Sequence, residues 1–264
     1  MIITLDQVVC YFLIFARLLG MLMLAPVFNR KEIFALSKVA FLFWLSGLLI
    51  FVVPMAVHPP ASPVAMVIAV VMEFMVGAML GFITDMIVVG LEAAGTLMDT
   101  QAGLSVASIL DPSSGRSITI ISSLLKWVAI VVFLMLDGHH MLLSAVVQSF
   151  KLLPIGAPFN IPQAAWYVVG LGGDIFYIAV QLSAPIMLVV FLIDFVFGML
   201  SRVAPQVNVF QLGFQIKPLI SLLIFLAIVP GISGSVSSLL ERVTDYILHA
   251  FYLLQLPPTM GLGG

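Results

Sequence analysis

Long apolar runs separated by short polar stretches dominate the chain. Crossing the hydrocarbon of a bilayer takes a helix of about 20 mostly apolar residues. Residues 8–27 meet that length with a single charge, Arg17. From Val39 to Met72 the chain runs 34 residues without an Asp, Glu, Lys or Arg. His58-Pro59-Pro60-Ala61-Ser62-Pro63 interrupts that run, and its prolines cannot continue a helix, which predicts a turn between two apolar helices. A third helix is expected from near Val64 past Gly90, and residues 124–147, 175–200 and 218–240 supply three more. Six apolar segments are therefore expected, followed by a short amphipathic tail over 243–256.

Composition agrees with that pattern. Of the 264 residues, 62% are hydrophobic and 8% charged, and the mean hydropathy is +1.25. Soluble domains carry about 25% charged residues. So few charges exclude an ordinary soluble enzyme, and the apolar content excludes a disordered segment. A net charge of −2 offers no field for nucleic acid. The one cysteine, Cys10, leaves no internal disulfide and no cysteine-based zinc cluster. The expected fold class is an all-α membrane protein. The first apolar run lacks a basic leader and a small-x-small cleavage site and carries Asp6, so it reads as a span rather than a signal peptide.

The third segment is too long for a simple span. Residues 64–108 contain no proline, and a continuous helix there would reach about 67 Å, roughly twice the hydrocarbon thickness. Gly90 and Gly95 are the places where it could break. If six segments alternate across the bilayer, Arg30, Lys31, Lys38, Arg116, Arg202 and Lys217 share one side, against Lys151 and Arg242 on the other. Basic residues favour the cytoplasm, which would put both termini outside it.

Charges inside apolar segments are costly and mark function by default. Arg17, Glu73, Asp85, Lys126, Asp174 and Asp194 are such charges. Asp85, Glu92 and Asp99 recur every seven residues and share a helix face. They read either as an acidic stripe lining a passage or as separate ion pairs with Arg17, Lys126 or a neighbouring subunit. Met72, Met75, Met79 and Met86 form a second stripe, which ordinary packing explains best. Gly77 and Gly81 have the small-xxx-small spacing of closely packed membrane helices.

Little in the chain suggests catalysis. Asp137, His139 and His140 are the one group resembling metal ligands, but adjacent histidines on a helix diverge by about 100°. There is no GxSxG, P-loop or dinucleotide fingerprint, and no cofactor is expected. The most informative stretch, 95–123, is rich in small and polar residues, among them Gln101, Gly103, Ser105, Asp111, Pro112 and Gly115. Such backbone cannot face lipid. It sits either in water as a plain loop or inside protein lining a cavity. Interspersed Leu104, Val106, Ile109 and Leu110 favour the second, the pattern of a constriction or plug.

At this stretch the chain resembles the FliR family of flagellar export-gate proteins. Ala93-Ala94-Gly95, Asp99, Gln101, Gly103, Ser105, Ala107 and Asp111-Pro112 stand in that family's order and spacing. Gly138-His139-His140 with Leu142-Leu143, Ser149-Phe150, Pro154 and Gly156 is similar to its next signature. Arg202, Ala204-Pro205-Gln206, Asn208, Phe210, Gly213-Phe214 and Lys217 resemble a third, and Arg17, Pro26 and Lys38 fit its N-terminal region. One departure is Gln215 after Gly-Phe, where the family commonly has proline; here the proline is Pro218. The injectisome relatives usually lack the Gly-His-His and Asp-x-Gln features together, so the chain looks flagellar.

The resemblance implies a non-enzymatic subunit of the type III secretion export gate, in the bacterial inner membrane at the flagellar basal body. It implies FliP-like, FliQ-like and FlhB-like partners, with unfolded flagellar proteins as the exported substrates. One FliR-like chain closes a helical ring of FliP-like subunits, with helices arranged as hairpins that resemble a FliP–FliQ fusion. Residues 1–264 would then form a single membrane domain, about 1–200 FliP-like and about 201–264 a FliQ-like hairpin. The family's plug loop corresponds to about 101–117, with Gln101, Gly103, Leu104, Ser105, Ala107, Ile109, Leu110, Asp111, Pro112 and Gly115 as its functional positions. Arg202, Pro205, Gln206 and Lys217 would belong to a loop facing the FlhB-like protein. Arg17, Glu73, Asp85, Glu92, Asp99, Lys126 and Asp194 are the expected buried or partner-facing charges. The rival expectation is an independent ion-coupled transporter or channel using Asp85, Glu92 and Asp99.

Overall fold

A computed structural model of the chain describes residues 5–26, 28, 34–53, 62–104, 120–156 and 161–255. Among the described residues there are seven helices and no strand, so the chain is an all-α membrane protein. The helices are α1 (Leu5–Leu24), α2 (Ala35–Leu49), α3 (Pro63–Ala102), α4 (Ile120–Met135), α5 (Gly138–Leu152), α6 (Ile161–Val203) and α7 (Val209–Gln255).

Helix α3 is the over-long element that the missing prolines predicted. Pro63 does not end a helix here but opens one, because its fixed φ suits the first helical position and its absent N–H is not needed there. Ser62 caps the same end, its Oγ accepting the Ala65 N–H at 3.2 Å. Gly90 and Gly95 do not break α3. The helix ends at Ala102, where Gly103 turns left-handed at φ 76°, a conformation that favours glycine.

Other boundaries differ from the expectation of six separate segments and a tail. Leu5–Leu24, Pro63–Ala102, Gln163–Val203 and Val209–Ile232 are long and apolar enough to cross a membrane, with a fifth span if α4 and α5 count as one broken crossing. Helix α2 has 15 residues and extends only about 22 Å. The apolar run 124–147 is interrupted where Asp137 adopts a left-handed φ of 55°. Beyond Pro218 and Pro230 helix α7 continues to Gln255, so the amphipathic tail is its last turns and not a separate element. Among the described residues, the six evenly alternating spans on which the orientation argument rests are therefore not found.

The chain divides into two compact units, one of residues 1–86, 133–172 and 240–264, the other of 87–132 and 173–239. Helices α3, α4, α6 and α7 contribute residues to both.

In the first unit α1 crosses α3 backbone to backbone. A Cβ on Gly77 would overlap the Arg17 carbonyl, one on Gly81 the Met21 carbonyl, and one on Gly20 the Phe74 carbonyl. Small residues on both helices thus permit a contact that any side chain would push apart. Leu13, Leu18, Met21, Leu80, Ile83 and Phe150 fill the core around it.

In the second unit the close approach is between α3 and α4, where a Cβ on Gly95 would overlap the Ser122 backbone. The α6–α7 turn is built by Asn208, whose Oδ1 accepts the Gln211 N–H at 3.1 Å to cap α7. Much of the apolar surface stays uncovered. Only 17% of the most apolar window of Val209–Ile232 is buried within the chain, so lipid or other chains must meet the rest.

Candidate functional site

Among the described residues, three polar sites hold charges expected in the apolar helices. The first surrounds Asp99, near the end of α3. Its side chain is fully buried, and its carboxylate accepts the Ile121 N–H at 3.1 Å and the Ser122 N–H at 3.0 Å. These amides belong to the first turn of α4, whose N–H groups have no partner inside their own helix. A carboxylate there satisfies two of them and sits favourably at the positive end of the helix dipole.

Ser122 ties the same junction from the other side. Its Oγ donates to the Glu92 carbonyl at 2.9 Å and lies 3.2 Å from Thr96 Oγ1. Glu92 itself pairs with Lys126 at 2.7 Å, both side chains 41% exposed. Glu92 and Asp99 of the predicted stripe thus hold the junction of α3 and α4, and Asp85, half-buried elsewhere on α3, is engaged as well.

The second site is a cavity of about 470 Å³ in the same unit, lined among others by Gln101, Gly103, Asp194, Phe210, Phe214 and Lys217. Asp194 of α6 and Lys217 of α7 form an ion pair on its wall. Residues expected in separate roles, at the start of the plug stretch and in the α6–α7 hairpin, therefore share one cavity. Arg202, Pro205 and Gln206 are exposed at the turn of that hairpin. Leu104 is half-buried, whereas Ser105, Ala107, Ile109, Leu110, Asp111, Pro112 and Gly115 lie outside the described residues.

The third site is in the other unit, where Arg17 is wholly enclosed. Its Nε and Nη2 both reach Glu73 Oε2 at 2.6 Å. Nη1 donates to Ser149 Oγ at 3.0 Å, Nη2 to the Leu153 carbonyl at 3.1 Å, and the guanidinium lies 4.2 Å from the Phe150 ring centroid. Glu73 Oε1 accepts the Gly156 N–H at 3.4 Å. An arginine suits this task because its planar fork offers five donors at fixed angles. Sequence reasoning marked Arg17 and Glu73 singly and missed Ser149, Leu153 and Gly156 as their partners. The second signature, which holds Ser149 and Gly156, gives no clue to that role, since Ser149 and Leu153 lie 132 and 136 positions from Arg17.

Asp137, His139 and His140 do come together, contrary to the divergence expected of adjacent histidines on a helix. Asp137 precedes α5 in a left-handed conformation, and the donor atoms of the three lie within 4.8 Å of one another. Asp137 and His140 are 74% and 71% exposed, the setting of a solvated cluster.

Similarity to known proteins extends over most of the chain. The model of the family described as bacterial export proteins, family 1, matches residues 8–243. The flagellar biosynthetic protein FliR of Pectobacterium carotovorum subsp. carotovorum is 31% identical over 237 residues, covering 90% of each chain. FliR of Bacillus subtilis (strain 168) is 26% identical over 226 residues, covering 84% of this chain and 86% of that one. The Yop proteins translocation protein T of Yersinia pestis is 28% identical over 206 residues, covering 76% and 79%. With the family model matched from the first helix to the last, the chain belongs to the bacterial export proteins, family 1.

Proposed function

We propose that the chain is a non-enzymatic subunit of the flagellar type III secretion export gate in the bacterial inner membrane, at the flagellar basal body. In this reading it closes a helical ring of FliP-like subunits, packs with FliQ-like chains and meets an FlhB-like protein through Arg202, Pro205, Gln206 and Lys217. The stretch 101–117 is its plug. Ile109 and Leu110 supply an apolar seal, Asp111-Pro112 sets the turn that aims it, and Gly103 and Gly115 give it conformational freedom. An apolar seal excludes water and ions when closed and yields to unfolded chains of varied sequence. The driving energy comes from partners.

The observation that supports a gate over an independent transporter is the commitment of the acidic stripe. Asp99 spends both carboxylate oxygens on the backbone of α4, and Glu92 is paired with Lys126. An ion path needs carboxylates that can exchange partners as ions pass. Deletion of residues 104–114 tests the reading: the assembled gate should then leak ions. A deletion variant that assembles, exports and stays ion-tight contradicts it.

A further inference from the structure

One residue, Asp99, holds both the end of α3 and the start of α4. The backbone carbonyl of Asp99 accepts the Leu104 N–H at 3.0 Å and closes the last turn of α3. The carboxylate of the same residue holds the Ile121 and Ser122 amides at the start of α4. We propose that Asp99 is a positioning residue of the gate, fixing where the two roots of the plug stand and thereby how tightly the closed gate holds back ions. This rests on the plug reading above and adds to it the residue that sets the plug's geometry.

The argument turns on what else holds these helices. Gly95 already lets α3 meet α4 at the Ser122 backbone, and the Ser122 hydroxyl reaches the Glu92 carbonyl. The crossing therefore survives loss of the carboxylate. What is lost is the clamp on the first turn of α4, nearest the end of the plug stretch. Hydrogen bonds to a charged acceptor are roughly twice as strong as neutral ones, and here two converge on one buried group. Without them the first turn of α4 frays, and the position of Ile121 and Ser122 against α3 is no longer fixed.

The test uses the complete gate, co-expressed with its FliP-like and FliQ-like subunits, and compares D99A, D99N, S122A and the 104–114 deletion. Two quantities are read: ion leakage through assembled complexes, and hydrogen exchange of the Ile121 and Ser122 amides. D99A should assemble, exchange roughly tenfold faster at those amides and leak several-fold above the unsubstituted gate. D99N keeps one acceptor oxygen and should fall between the two, while S122A leaves the clamp and should stay tight. A merely structural aspartate would change exchange and stability without changing leakage. If D99A exchanges faster yet stays tight while the deletion leaks, the inference is overturned. If D99A fails to assemble, D99N decides, and leakage at the unsubstituted level overturns the inference. A deletion that is itself tight removes the plug reading, and this inference falls with it.

Discussion

The guanidinium of Arg17 and the carboxylate of Glu73 meet at 2.6 Å in the interior of the first unit, across 56 residues of sequence. Neither has more than a trace of exposure. Such a pair gains stability only when its remaining donors and acceptors are also met. Here Ser149, the Leu153 carbonyl and the Gly156 N–H meet them, so α1, α3, α5 and the turn after α5 are joined at one point.

Breaking that pair from one side should be severe. E73A or R17M leaves an uncompensated buried charge or its unmet partners, expected to cost about 3–5 kcal/mol. The double variant R17M/E73L removes both charges and should recover much of the loss. Thermal unfolding of the purified protein in detergent checks the order: each single variant below the double, and the double below or near the unsubstituted chain.

The glycines divide by what surrounds them. G77V drives a side chain into the Arg17 carbonyl and should destabilise by about 1–3 kcal/mol or more, with loss of folded protein. G170A meets open space inside helix α6 and should be neutral or stabilise by about 0.4–1 kcal/mol. Yield of folded protein and its melting temperature separate the two.

The half-exposed Glu92–Lys126 pair should matter little to stability. K126M is expected to shift it by less than about 1 kcal/mol, the range of exposed ion pairs. Under the transporter reading the same substitution would change ion flux strongly. Flux through reconstituted protein with unchanged melting therefore distinguishes the readings.

The Asp194–Lys217 pair lies on the cavity wall beside Gln101 and Gly103. D194N and K217M should each impair flagellar export. The charge-reversed double variant, D194K/K217D, should restore part of it, because residues in contact do not act additively. Swimming motility of complemented cells provides the readout.

The helical class and the long α3 were legible because apolar content and proline absence act locally. The end of α3 near Gly103 was legible only as a change to small and polar residues. Two boundaries were hidden. Residues 124–147 read as one mostly apolar run, and the break comes at Asp137, where the backbone turns left-handed. Pro218 reads as the start of a segment, yet α7 begins at Val209 and runs through it. The polar residues that matter could be picked out because charge is rare here, but their partners could not. Arg17 finds Glu73 and Ser149, and Asp99 finds Ser122, through chain crossings that no local pattern encodes.

Native mass spectrometry of the chain, co-expressed in detergent with FliP-like and FliQ-like partners, tests the central claim most directly. The account predicts one stable hetero-complex containing a single copy of this chain. A stable monomer or homo-oligomer that ignores those partners would contradict it and favour an independent transporter.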